Sequence, residues 1–125
     1  MNKKLYDSLL KDLKSIGIDT SDMTIVLRPF HKRFHGRYLF NERKMFLYIY
    51  QDKEQNNLRP YIDTLKTAIH ESVHHIMGLK QVMHKDITHG KEFHALYDLF
   101  ISFADELGLL DEKRNNDFTG KHWSF

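Results

Sequence analysis

The sequence predicts an α+β fold: an N-terminal helix, a small, mostly antiparallel sheet of three strands, then two more helices. Two observations carry that expectation. Apolar residues recur at helical spacing near both ends of the chain, and β-branched and aromatic residues gather between positions 23 and 50. Size and composition add a third. The chain has 125 residues, 41% hydrophobic and 29% charged, which is the balance of one globular domain with its own core. Residues 1–125 are therefore read as a single domain, with a core of about 3–108 and a tail of 109–125.

Leu5, Leu9, Leu13 and Ile16 define an amphipathic helix over residues 3–16 that stops at Gly17. Met23 to Phe30 is β-rich, with Pro29 limiting its far end. Gly36–Phe40 and Met45–Tyr50 read as two strands around a turn at Asn41-Glu42-Arg43-Lys44. In the second of these, Met45, Leu47 and Ile49 share one face, and Phe46, Tyr48 and Tyr50 the other. Residues 51–60 are polar and end in Pro60, a loop. Leu65, Ile69, Val73 and Ile76 then mark a helix over 63–77, capped by Asp63 or Thr64 and ended by Gly78. Phe93, Leu96, Tyr97, Phe100, Ala104 and Leu107 mark another, from near Thr88 to Gly108.

The chain has no cysteine, which excludes disulfides, a thiol nucleophile and every cysteine-based zinc site. Any metal centre must use His, Asp or Glu. The longest apolar run, Met45 to Tyr50, is too short to cross a membrane, and the N-terminal Met-Asn-Lys-Lys has no apolar stretch behind it. The expected location is the cytoplasm. Net charge is only +2, but residues 1–60 hold twelve Lys/Arg against seven Asp/Glu, and residues 61–125 hold seven against ten. The excess gathers at Arg28, Lys32, Arg33, Arg37, Arg43 and Lys44, either a solvated face or a contact for a phosphate backbone.

Nine histidines direct the functional reading. Residues 70–74 are His-Glu-Ser-Val-His, an H-E-x-x-H pattern inside the helix inferred from periodicity. Residues four apart share a helical face, so His70 and His74 can hold one ion. Glu71 sits about 100° round, placed to reach a water rather than the metal and to act as its general base. A catalytic zinc site usually needs a third protein ligand and an open fourth position. The candidates are His75, His84, His89, His94, Asp98, Asp105 and Glu106. His89 is preferred because it opens the next helix in His89-Gly90-Lys91-Glu92-Phe93, one turn before the core residue Phe93, with Gly90 permitting close approach.

With these residues the chain resembles the SprT-like (Spartan-type) zinc metallopeptidases, which carry H-E-x-x-H on one helix and a third histidine in an H-G-x-x-F segment opening a later one. Here the match is His70, Glu71 and His74, then His89, Gly90 and Phe93, with fourteen residues between His74 and His89. More loosely it extends upstream to the first helix, the sheet and Gly36, covering about residues 3–108. The resemblance implies a zincin-like fold and one zinc ion per chain on His70, His74 and His89. It further implies hydrolysis of protein or peptide substrates by metal-activated water, with Glu71 as general base. Family members digest proteins crosslinked to DNA, so DNA-associated substrates are part of what it implies. Many also carry a C-terminal zinc ribbon, which a chain without cysteine cannot form.

Two other readings stand beside this one. The first is a repressor-cleaving H-E-x-x-H peptidase with Asp98, Asp105 or Glu106 as third ligand. The second is a non-catalytic zinc domain with His75, His84 or His94 completing a four-ligand site. For substrate binding, the strand Met45–Tyr50 is either a sheet edge that pairs with an extended peptide or an ordinary core strand. Tyr48, Tyr50 and Tyr61 are the hydroxyls considered as oxyanion donors. The tail residues His122, Trp123 and Phe125 either dock or cover the site.

Overall fold

The computed structural model describes residues 3–78 and 90–118. Helix α1 spans Lys3–Ser15, followed by strands β1 (Thr24–Arg28), β2 (Gly36–Leu39) and β3 (Lys44–Tyr48). Helix α2 spans Tyr61–Met77, α3 spans Lys91–Glu106, and a 3-10 helix covers Glu112–Asp117. This is the α+β arrangement expected. The start expected near Thr88 for α3 lies outside the described residues, as do His122, Trp123 and Phe125.

The sheet has the order β1-β3-β2 and is mixed. β2 pairs antiparallel with β3, Gly36 opposite Leu47 through Leu39 opposite Lys44. β1 instead runs parallel to β3, Thr24 beside Lys44 through Arg28 beside Tyr48. The expectation of a mostly antiparallel sheet is corrected on this point, because the segment 29–35 carries the chain from one side of β3 to the other. That crossing is pinned by backbone bonds on both sides. Ile49 and Tyr50 donate to the carbonyls of Arg28 and Pro29 at 3.0 and 2.8 Å, and Tyr48 donates to that of His35 at 2.9 Å. β3 is therefore the central strand and cannot be the edge that receives a peptide.

The three helices and the sheet share one core, in which α2 packs on β2 and β3 and α1 and α3 pack on α2. Leu9, Leu13, Met45, Leu47, Leu65, Ile69 and Val73 are essentially inaccessible to solvent. Burial of side chains of this size contributes about 1.5–3 kcal/mol each. The alternation expected along β3 holds for Met45, Leu47 and Ile49, but Tyr50 is also buried, beyond the end of the strand. Two residues expected in core stripes are exposed: Ile76 in the last turn of α2, and Leu107 just past α3.

α2 packs against α1, β2, β3, α3 and the 3-10 helix. It begins two residues before the expected caps, at Tyr61 after Pro60. Its cap comes from a distant part of the chain, where Asn115 Oδ1 accepts the Ile62 amide at 2.9 Å. Nearby, Tyr61 donates its hydroxyl to Asp12 (2.5 Å) and accepts one from Ser8 (2.9 Å). Arg114 donates to the same Asp12 carboxylate at 2.7 Å. Phe118 stacks on the Tyr61 ring at 4.7 Å. The tail as far as Phe118 is thus docked on α1 and α2. No helix among the described residues is long and apolar enough to cross a membrane.

Candidate metal centre

The period of α2 separates its two duties. Leu65, Ile69 and Val73 point into the core, and one residue further on Lys66, His70 and His74 form a second stripe. His70 is partly exposed, at 39% of its side chain, while Glu71 is 7% exposed. The imidazoles of His70 and His74 lie with centroids 5.1 Å apart and planes at 75°. Phe93, from the first turn of α3, supports both, at 4.9 Å from the His70 ring and 4.7 Å from the His74 ring. Tyr97, one turn on, lies 6.0 Å from His70.

Ligand atoms of His70, Glu71 and His74 all lie within 4.8 Å of one another. Zinc sits about 2.0–2.1 Å from imidazole nitrogens. Two nitrogens on one tetrahedral ion are then about 3.4 Å apart. A small side-chain rotation closes that gap, so the donors fit a divalent cation. His70 Nδ1 is 3.3 Å from Glu71 Oε2. The tautomer that donates from Nδ1 presents Nε2 as the ring's ligand atom. His89, the expected third ligand, and His84 lie outside the described residues. Among the described residues no acid of α3 joins the group, and Asp98, Asp105 and Glu106 are all exposed on that helix.

His75 is not part of the cluster. Its side chain is 8% exposed and bridges two elements, with Nε2 2.9 Å from Asp22 Oδ1 and Nδ1 2.5 Å from the Tyr38 hydroxyl. Both ring nitrogens are engaged, so it is no fourth ligand. The His75 hydrogen bond holds the Asp22 carboxyl below its ordinary value. Burial pushes the Tyr38 phenol up. Burial, then the neighbouring Asp98 charge, does the same at Tyr97. Both phenols are therefore neutral O–H groups near neutral pH.

β2 lies close to α2. A Cβ on Gly36 would stand 2.5 Å from Thr67 Cγ2 and 3.3 Å from Glu71 Cγ, so only glycine allows this approach. Between the strand and the helix runs a groove of about 670 Å³, whose lining includes His70, Glu71, His74, Tyr38 and Tyr97. Of the hydroxyls considered from sequence, Tyr61 is buried on Asp12, Tyr50 is buried, and Tyr48 does not line the groove. The tyrosines that do line it, Tyr38 and Tyr97, were missed. Their signals were available: Tyr38 is two residues from Gly36 on the same strand face, and Tyr97 is four from Phe93 on one helical face.

The basic residues divide. Arg33 and Arg37 line the groove. Arg28 lies over the Phe46 ring at 5.5 Å. Arg43 pairs with Asp22 at 3.6 Å. Lys32 is exposed in the 29–35 crossing, and Lys44 begins β3. Comparison of the chain with protein-family models, with curated proteins and with solved structures finds no match.

Proposed function

We propose that the chain is a zinc-dependent peptidase of the SprT-like kind, acting on protein or peptide substrates. The observation that carries this reading is Glu71. It is a nearly buried carboxylate beside two histidines that can share an ion, on a groove walled by an edge strand. A purely structural metal site has no use for such a base. Zinc is the ion that suits imidazole donors in a chain without cysteine, with His89 as the third ligand. Bound there, zinc would bring a water's pKa towards neutrality and polarise the scissile carbonyl.

The chain's own groups supply the rest. Glu71 takes the proton of the attacking water and passes it to the leaving amine. β2 is paired on one side only among the described residues, and its other edge can align an extended peptide by β-augmentation. Among the described residues lining the groove, the Tyr38 hydroxyl is engaged with His75 and that of Thr67 with the Asp63 carbonyl, which leaves the Tyr97 hydroxyl as O–H donor to the oxyanion.

The test combines metal content and turnover. The wild type should hold zinc, and His89→Ala should hold far less. Glu71→Gln should keep zinc and lose about 10²- to 10⁴-fold in peptide hydrolysis, the usual contribution of a positioned general base. Chelation should abolish hydrolysis, and zinc should restore it. Near-wild-type hydrolysis in Glu71→Gln would remove the base from the mechanism, and undiminished zinc in His89→Ala would remove His89 from the site.

A further inference from the structure

Among the described residues three cations line the groove: Arg33, Arg37 and Lys66. Among the described residues its one acidic lining residue is Glu71, which the proposed chemistry already uses. Some bases elsewhere are paired with acids, as Lys3 is with Asp7, Arg43 with Asp22 and Arg114 with Asp12. Among the described residues, no carboxylate is paired with Arg33, Arg37 or Lys66. Arg33, Arg37 and Lys66 are exposed, and the Arg37 guanidinium lies 5.9 Å from the centre of the Phe34 ring, itself 42% exposed. A cleft lined by one sign of charge concentrates ligands of the other sign.

Position narrows the ligand. Lys66 precedes His70 by four residues on one helical stripe, about 6 Å along the axis. An extended peptide advances about 3.3 Å per residue. A carboxylate held by Lys66 would therefore belong to a residue about two positions from the bond presented to His70 and Glu71. Arg33 and Arg37 stand across the groove, in and just before the edge strand that would align the peptide.

We infer that the groove selects acidic peptides, with an Asp or Glu side chain about two residues from the scissile bond seated on Lys66 and further carboxylates held by Arg33 and Arg37. This rests on the peptidase reading for the position of the bond, but binding can be read without turnover. The experiment uses the full chain carrying Glu71→Gln and fluorescence anisotropy of labelled alanine-glycine decapeptides. These are matched except for paired Glu, Gln or Lys residues, with the C-terminus free or amidated.

The Glu peptide should bind about tenfold more tightly than the Gln peptide, and the Lys peptide most weakly, with the difference shrinking as salt rises. Lys66→Glu should remove the preference and Lys66→Gln should reduce it, with unchanged circular dichroism in both. Equal affinity for the three peptides would overturn the inference. So would a preference that survives Lys66→Glu, or one that vanishes on C-terminal amidation and so belongs to a terminal carboxylate. A single-stranded oligonucleotide binding more tightly than the Glu peptide through Lys66 would assign the groove to nucleic acid instead. Acidic-peptide binding without cleavage by the zinc-loaded wild type would keep the selective groove and end the peptidase reading. Cleavage indifferent to acidic residues would do the reverse.

Discussion

Replacing Gly36 with alanine tests how closely the edge strand rests on the helix that carries His70, Glu71 and His74. The added Cβ would lie 2.5 Å from Thr67 Cγ2, 3.2 Å from the Phe46 carbonyl oxygen and 3.3 Å from Glu71 Cγ. Carbon atoms rest in contact at about 3.5–4.0 Å, so the overlap with Thr67 is about 1 Å. Thr67 cannot swing aside freely. Its χ1 is restricted by branching, and its Oγ1 donates to the Asp63 carbonyl at 3.0 Å. The strand must move off the helix, and overpacking of this kind costs about 1–3 kcal/mol. The sign is informative because Gly36 does not adopt a positive φ. At such a position Gly→Ala otherwise stabilises by about 0.4–1 kcal/mol through the unfolded chain. The net expectation is a loss of about 1–2 kcal/mol, or a Tm lower by roughly 4–8 °C. Urea and thermal unfolding measure it. Thr67→Ser, which removes Cγ2 and keeps the hydroxyl, should recover much of the loss, with a coupling energy of about 0.5–2 kcal/mol. On the proposed peptidase reading, displacement of Glu71 should also lower kcat more than it raises KM. An alanine variant as stable as wild type would refute the reasoning, as would a loss that Thr67→Ser leaves unchanged.

Two further predictions concern the polar cluster beneath the tail. Asp12→Ala removes the acceptor of both Tyr61 and Arg114; the Asp12 side chain is 5% exposed and that of Arg114 24%. Breaking such a pair typically costs about 3–5 kcal/mol, and partial exposure of Arg114 places this one near 3. Urea unfolding measures the loss, and one under about 1 kcal/mol would show the cluster is not cooperative. Tyr61 supplies a pH dependence. Burial, then its bond to Asp12, raises its phenol well above the ordinary value. The folded state therefore holds this proton more tightly than the unfolded chain does. That stabilisation is complete below about pH 10 and is lost as pH rises towards the folded value. The urea midpoint should fall with pH above about 10, and Tyr61→Phe should flatten the fall; an unchanged slope in that variant would contradict the assignment.

What could be read from sequence was whatever depends on a local period. Leu65, Ile69 and Val73 locate the core stripe of α2, and that stripe alone puts His70 and His74 together on the neighbouring face. Gly36 and Gly78 likewise mark where β2 starts and α2 stops. The misses share a different physical origin. Which strand is the edge depends on whether β1 crosses β3, and alternation along β3 is the same in the centre of a sheet as at its rim. The cap of α2 comes from Asn115, far along the chain, so Asp63 and Thr64 looked like the only candidates. His75 stood among the candidate ligands, but its destination, between Tyr38 and Asp22, needed the sheet to be in place. The six basic residues formed one group in sequence, and the fold parts them by strand face, ion pair and edge. The site thus has a helix-determined floor and a topology-determined wall. Gly36 is where the two meet, because any larger residue there would change the distance between Glu71 on the floor and β2 in the wall.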